Sequence, residues 1–279
     1  MSNRMPNRTK GAPETSRAVG VVRTRNGRKE ALTDRVAEET PIALVYHGVQ
    51  QVVMMATPAD LEDLAVGFTV SENIASAAEI RSVETKPVPG GMQVDIAIAP
   101  DRFSMLLQRQ RNLTGRTGCG VCGVETIEQA IRKPGRVSAD IGLSEQEMHA
   151  TLRALGDRQE LNRVVGSVHG AAWARVGQGI EVEREDVGRH NALNKVIGAL
   201  LRAEVDPAAG FLLITSRASY EMVLKAASVG VSLLIAVSAP TGLAIRLADD
   251  CGMTLVGFAR SGPDAREQHV LYAHPQRIV

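Results

Sequence analysis

Residues 211–259 read FLLITSRASYEMVLKAASVGVSLLIAVSAPTGLAIRLADDCGMTLVGFA, and the rhythm of that stretch decides the fold. Phe211 to Thr215 is a short apolar run. Ala218 to Val229 has helical length and is closed by Gly230. Val231 to Val237 is a second apolar run, Thr241 to Cys251 a second helical segment closed by Gly252, and Met253 to Ala259 a third run. The order is βαβαβ. Strands that are apolar at every position are buried on both faces, which predicts a parallel or mixed sheet sandwiched between helices. Upstream, Asp186 to Arg202 predicts another helix, with Val187, Leu193, Val196, Ile197 and Leu200 on its apolar side and Asp186 as its N-cap.

The first half has a different texture and reads as a smaller α+β unit. Ile42 to Tyr46, the turn His47-Gly48 and Val49 to Ala56 predict a β-hairpin. Thr57-Pro58-Ala59-Asp60 predicts a helix start, with Thr57 capping, and the helix runs to about Ile74. Ile80 to Lys86 and Met92 to Ile98, separated by Pro87, Pro89, Gly90 and Gly91, predict a second hairpin. Residues 109 to 123, rich in Gly and Arg, read as an exposed loop, with a short helix following in Val124 to Arg132. The division expected is a solvated arm over residues 1–17, an α+β domain over 18–133 ending in that loop, and an α/β domain over 134–279.

Charge and composition narrow the function. The 32 basic and 31 acidic residues leave a formal charge of +1, so no overall field points to nucleic acid or to an acidic membrane. No run approaches the roughly 18 apolar residues that span a bilayer. No apolar stretch near the start resembles a signal peptide, and a cytoplasmic location is expected. In that reducing setting the close pair among the three cysteines, Cys119 and Cys122, is expected to be reactive or metal-binding rather than a structural staple.

The residues of Cys119-Gly120-Val121-Cys122 leave three readings open. A thiolate favoured by Arg109, Arg111 and Arg116 and by a following helix start would be a nucleophile. The spacing also suits half of a zinc site, completed by His169 or His190, or thiol-disulfide exchange. Elsewhere, the carboxyl ends of the predicted strands carry Thr215-Ser216-Arg217, Ser238-Ala239-Pro240-Thr241 and Ala259-Arg260-Ser261-Gly262-Pro263. Hydroxyls, guanidinium groups and helix N-termini meet there, as a nucleotide or phosphorylated pterin requires. The plainer reading makes Ser216 and Thr241 helix caps. In Glu185-Asp186-Val187-Gly188-Arg189-His190-Asn191 the helix puts His190 with Asn194, and Asn191 with Lys195, on polar faces that could line a ligand site. For His169, His190 and Trp173 a structural role is the simpler expectation.

In order and separation, five stretches resemble the FdhD/NarQ family of formate dehydrogenase accessory proteins. They are Thr57-Pro58-Ala59-Asp60 through Phe68, Gly118 to Gly123, Glu185 to Ala192, Ser216 to Ala227, and Ser238-Ala239-Pro240-Thr241 leading to Thr254 to Phe258. The resemblance implies a cytidine-deaminase-like three-layer α/β/α domain preceded by a smaller α+β domain, assembled as a homodimer. It implies a sulfurtransferase that accepts sulfur from an IscS-type cysteine desulfurase and passes it to the bis-molybdopterin guanine dinucleotide form of the molybdenum cofactor, bound as cargo for formate dehydrogenase. No metal of its own is implied. Cys119 matches the persulfide-bearing cysteine and Cys122 its companion. Phe258, Ala259, Arg260, Ser261, Gly262 and Pro263 match the segment that contacts the guanine nucleotide, and Ser216 and Arg217 are the further cofactor contacts expected from the residues. Zinc deaminase chemistry is set aside, because the His-x-Glu and Pro-Cys-x-x-Cys pairs it needs are missing: His169 precedes Gly170-Ala171 and Cys119 follows Gly118. Two other functions remain: a cofactor chaperone without sulfur transfer, and a redox-cycling CxxC protein.

Overall fold

A computed structural model describes residues 11–114, 134–262 and 265–279. Its carboxyl-terminal half is built on a six-stranded sheet in the order β12-β11-β10-β9-β7-β8. The strands are β7 (His169–Arg175), β8 (Gly179–Asp186), β9 (Phe211–Ile214), β10 (Leu233–Ala236), β11 (Thr254–Gly262) and β12 (Ala265–Ala273). β9, β10 and β11 run parallel, as the βαβαβ rhythm requires, while β7 is antiparallel to β9 and β12 to β11. Alternate residues of each strand supply two apolar layers. Leu212, Ile214, Leu234, Ala236 and Leu255 meet the helices α5 (Arg189–Arg202), α6 (Tyr220–Ser228) and α7 (Gly242–Cys251) on one face. Phe211, Leu213, Leu233, Ile235 and Val256 meet Met148, Leu152 and Leu155 of α3 (Glu145–Arg158) on the other. Each Leu or Ile sealed in this way contributes about 1.5–3 kcal/mol, which is why strands of four residues suffice. The result is the three-layer α/β/α arrangement expected. A six-residue helix, α4 (Glu160–Val165), follows α3.

The amino-terminal half carries a four-stranded sheet in the order β4-β3-β6-β5, from β3 (Thr40–Tyr46), β4 (Val49–Ala56), β5 (Ile80–Val88) and β6 (Gly91–Ile98). Both expected hairpins form, and β3 and β6 pair in parallel between them. The helices α1 (Leu61–Ser71) and α2 (Pro100–Thr114) belong to this half, and Leu61, Leu64 and Leu106 join its apolar cluster.

The structure corrects several expectations. From Gly11 onward the supposed arm is ordered: Ala12 packs on the apolar cluster, and Ser16 begins β1 (Ser16–Arg25), which pairs with β2 (Arg28–Ala37). Helix α1 starts at Leu61, not at Pro58, because Thr57 is engaged elsewhere, and it ends at Ser71. Residues 109–114, expected in a loop, continue α2. The remainder of that loop, the helix expected over Val124 to Arg132, and the division at 133/134 lie outside the described residues. Asp186 is not an N-cap. It ends β8, and the cap position of α5 is Gly188.

Asp186 instead sits where the two halves meet. Its carboxylate lies 2.6 Å from the Lys195 ammonium, with both side chains at 0 % exposure. It also accepts hydrogen bonds from the backbone of Thr57 and Gly188 and from the Asn191 amide, at 3.1, 2.8 and 3.1 Å. The Thr57 hydroxyl accepts from Val187 N–H at 3.1 Å, so its capping capacity is spent across the interface. Ser71 donates to Asn194, and Lys225 donates to Ser71 and pairs with Glu72. Between these polar contacts α1 crosses α5 backbone to backbone. A Cβ at Gly67 would stand 1.8 Å from the Asn194 carbonyl oxygen, and one at Gly198 would stand 1.9 Å from that of Asp63. Only glycine fits there. The polar stripe expected to line a ligand site is therefore divided: Asn191, Asn194 and Lys195 hold the interface, and His190 alone reaches the sheet's carboxyl edge.

Candidate functional site

The parallel strands β9 and β10 end at Ile214 and Ala236, and the loops that follow are stitched to one another. Val237 N–H donates to Ile214 O, Thr241 N–H donates to Ala218 O, and Ala218 and Pro240 form an isolated bridge. The Thr215 backbone N–H donates to the Gly170 carbonyl, and its hydroxyl accepts from Gly170 N–H, which draws the start of β7 to the same edge. The N-termini of α5, α6 and α7 open here, so partial positive charge and backbone N–H groups gather on one side of the sheet. Thr241 caps α7, its hydroxyl accepting from Ala244 N–H at 3.3 Å. Ser216 caps nothing. Its buried hydroxyl donates to Arg217 O, and the cap position of α6 is Ser219.

Three charged side chains of this edge come from segments far apart in sequence. His190 at the head of α5 lies 2.6 Å from the Glu221 carboxylate in the first turn of α6. The close His190 imidazole pulls the Glu221 carboxyl below its usual range, outweighing the opposing effect of burial. His169, at the start of β7 opposite Asp186, has its pKa lowered by burial and then by the Arg189 guanidinium, which favours neutral imidazole. Among the described residues, the Arg189 Nε and the Ser219 hydroxyl are buried without a hydrogen-bond partner. Such atoms carry a desolvation cost of about 1–3 kcal/mol until a partner arrives. Arg189, Ser219 and Glu221 were not singled out from sequence for roles at this edge. The His190–Glu221 pair has no local signal, because the fold alone makes those positions neighbours.

The expected guanine-nucleotide segment is less uniform than its sequence suggests. Residues 258–262 do not form a loop beyond the strand but continue β11, which is bulged between Gly257 and Arg260. At the bulge Phe258 adopts φ 50° and its ring is 36 % exposed. Its N–H donates to Ser238 O at 3.2 Å, which fixes the ring beside the β10 loop, and the exposed Arg260 guanidinium lies 5.9 Å from the ring centre. The close approach explains Gly257, where a Cβ would stand 2.7 Å from Pro240 Cδ. Ala259 faces inward at 0 % exposure in the apolar layer under α3, so it can offer a ligand only its backbone. The Ser261 hydroxyl accepts from Arg153 of α3 at 2.8 Å. Ser216, Arg217, Phe258 and Arg260 thus share the strand-end region, whereas Ala259 and Ser261 turn away from it. Pro263, Cys119 and Cys122 lie outside the described residues. Cys251 is 2 % exposed at the end of α7, and burial pushes its thiol pKa up, against thiolate formation.

A three-layer α/β/α unit with a polar strand-end edge, joined to a smaller α+β unit through a buried ionic seam, defines the class of protein. Residues 37–279 match the model of the FdhD/NarQ family. A relative from Cupriavidus necator named sulfur carrier protein FdhD is 48% identical over 267 residues, covering 95% of this chain and 91% of the relative. A protein of the same name from Xanthomonas oryzae pv. oryzae is 47% identical over 275 residues, covering 97% and 96%. Among solved structures, one from Desulfotalea psychrophila assigned as a formate dehydrogenase accessory protein superposes with a TM-score of 0.77 at 25% identity, covering 95% of this chain and 100% of that one. The chain belongs to the FdhD/NarQ family. Among the described residues no helix is long and apolar enough to cross a membrane.

Proposed function

We propose that this chain is a sulfur carrier for formate dehydrogenase maturation, a sulfurtransferase that loads Cys119 with a persulfide. The Cys119 thiolate attacks the outer sulfur of a persulfide on an IscS-type cysteine desulfurase. A new sulfur–sulfur bond forms on Cys119, and the desulfurase cysteine leaves as a thiolate that takes up a proton, with no net oxidation. The outer sulfur, released as hydrosulfide, then replaces an oxygen ligand of bis-molybdopterin guanine dinucleotide, held as cargo before its insertion into formate dehydrogenase, and with protons the oxygen leaves as water. Cys122 assists release: its attack on the inner sulfur of the persulfide closes a Cys119–Cys122 disulfide and expels hydrosulfide, and a cellular thiol reductant restores the pair.

The reading is carried by near-full-length likeness, at 47–48% identity, to proteins named as sulfur carriers. Burial of Cys251 supports assigning the thiol chemistry to the other two cysteines. For the cargo, the exposed Phe258 ring suits stacking on a purine, while Arg217 and Arg260 suit its phosphates. Ser216 and the segment from Ala259 through Ser261 and Gly262 to Pro263 complete the proposed contacts, with a homodimer as the working assembly in the cytoplasm.

The test is mass spectrometry after incubation with desulfurase and cysteine. The expected result is one added sulfur atom on the peptide containing Cys119, abolished in Cys119→Ala and retained in Cys251→Ala. No added sulfur in the native chain, or its persistence when Cys119 and Cys122 are both alanine, would refute the assignment. Formate dehydrogenase maturation that survives loss of both thiols would point to a cofactor chaperone without sulfur transfer.

A further inference from the structure

Away from the strand-end edge, α3 and β12 border an open polar cleft of about 600 Å³ lined by Glu145, Gln146, His149, Glu267, Gln268 and His269. The sequence spacing creates it. Glu145 and His149 are four apart on α3 and so share a face, while Glu267 and His269 are two apart on β12 and point to the same side. His149 is only 3 % exposed, yet among the described residues its Nδ1 has no hydrogen-bond partner. Burial costs about 1–3 kcal/mol for such an unsatisfied group, so its retention needs a reason.

We propose that Glu145, His149, Glu267 and His269 form a binding site for a divalent transition-metal ion of the zinc class. Imidazole nitrogens and carboxylate oxygens are the donors such ions take outside thiolate sites, and two carboxylates balance the charge. The distances fit. At metal–donor lengths of about 2.0–2.1 Å and tetrahedral angles, two donor atoms stand about 3.4 Å apart, and two coordinating imidazole rings have centres about 5.2 Å apart. His269 Nε2 lies 3.7 Å from Glu145 Oε1. The His149 and His269 ring centres are 5.5 Å apart with planes inclined at 53°.

Among the described residues no three donors are already drawn onto one point. The closing motion therefore falls to the carboxylates, whose side chains are 63 % exposed at Glu145 and 51 % exposed at Glu267. Arg153 competes for the site, because it pairs with Glu267 and donates to Ser261. Coordination of Glu267 requires that ion pair to open. The bound ion would tie α3 to the outer hairpin β11–β12.

The test separates this site from the cysteine pair, because thiols in general also take up zinc. In a Cys119→Ser/Cys122→Ser chain, calorimetry with Zn²⁺ and visible spectroscopy with Co²⁺ should show one saturable site. The cobalt spectrum should have ligand-field bands without thiolate charge transfer, and the melting temperature should rise with added zinc. His149→Gln and His269→Gln should each weaken binding at least tenfold. If the buried His149 change prevents folding, His269→Gln and Glu145→Gln provide the same comparison. Absence of saturable binding in the chain lacking the cysteine pair, or binding unaffected by the histidine changes, would overturn the assignment. Persulfide loading is a separate readout, so failure of either proposal leaves the other standing.

Discussion

Replacing Lys195 with Met tests whether the buried ionic seam holds the two halves in register. Methionine keeps most of the side-chain volume, so the change removes charge rather than packing. It leaves the Asp186 carboxylate at 0 % exposure with three neutral donors from Thr57, Gly188 and Asn191 but no counter-charge. Breaking a buried pair from one side costs about 3–5 kcal/mol. Two further bonds also go, from the Lys195 ammonium to Thr57 O at 3.1 Å and to Glu185 O at 3.4 Å, which leaves carbonyl acceptors on both sides of the seam without it. For a chain of 279 residues, an unfolding entropy of about 2.1 cal/mol/K per residue gives roughly 0.6 kcal/mol/K, so the melting temperature should fall by about 5–9 °C. Thermal denaturation followed by circular dichroism measures it. A second arm, Asp186→Asn with Lys195→Met, removes both charges and should recover a large part of the loss, because the hydrogen bonds accepted at residue 186 no longer surround an unpaired charge. A single variant melting within about 2 °C of the parent would refute the claim that this pair secures the interface.

Two further substitutions probe backbone approach and buried charge. Gly67→Ala forces a Cβ to 1.8 Å from Asn194 O and should cost at least about 1–3 kcal/mol by parting α1 from α5, whereas Gly156→Ala, with open space on exposed α3, should be neutral or stabilise by up to about 1 kcal/mol; equal chemical-denaturation midpoints would contradict the crossing geometry. Burial, and then the neighbouring Glu185, pushes the Glu183 carboxyl up to about 8, so the native state holds a proton that the unfolded chain releases near pH 4.5. Its stabilisation is complete below that lower value and is lost as pH rises through the window to about 8, by up to about 1.4 kcal/mol per unit. Glu183→Gln should therefore gain stability over the parent as pH increases across that window, and parallel stability curves would contradict the shift.

What could be read from sequence follows from where the determining interactions lie. The βαβαβ core was legible in element order, with boundaries within about three residues, because burial on both faces leaves unbroken apolar runs, and because Gly230 and Gly252 at φ 82° and 81° mark the helix ends. Trp173 took the expected core role, with its indole N–H donating to Pro207 O. By contrast, β1 and β2 bury almost no face, so their strands show no alternation. The signal they did carry was Asn26-Gly27, a hairpin turn with φ of 50° and 78°. Asp186 and Thr57 were misread for one shared reason. Both have strong local capping chemistry, and both spend it on each other's segments across a contact between residues some 130 positions apart in the chain. At the strand-end edge, Ser216, Arg217 and Phe258 could be proposed because strand ends are legible. That Ala259 turns inward and Ser261 turns to Arg153 depends on the bulge in β11, for which the sequence has no periodic sign.

The seam also constrains how sulfur transfer can work. Leu106 and Arg102 root α2 in the amino-terminal half, the latter through Glu79, so Thr114 leads into the cysteine segment from that side. The chain is next described from residue 134, and by Val137 it is bound to the carboxyl-terminal half, its N–H donating to Cys251 O. Cys119 and Cys122 therefore lie in a span with one foot on each half, while the proposed cargo contacts belong to the second half alone. If the halves could slide, the distance from sulfur to cargo would vary with them. Buried charge is a costly way to stabilise an interface, since a well-packed apolar pair of equal volume does as well or better. What Asp186, Lys195, Asn191 and Thr57 add is direction: each bond is satisfied in one relative placement of α1, β8 and α5, and the glycine crossing at Gly67 and Gly198 tolerates no other. On this argument the seam fixes the registry between the two feet of the cysteine segment. Variants that loosen it without unfolding the chain should load sulfur normally on Cys119 and lose the later transfer to cofactor.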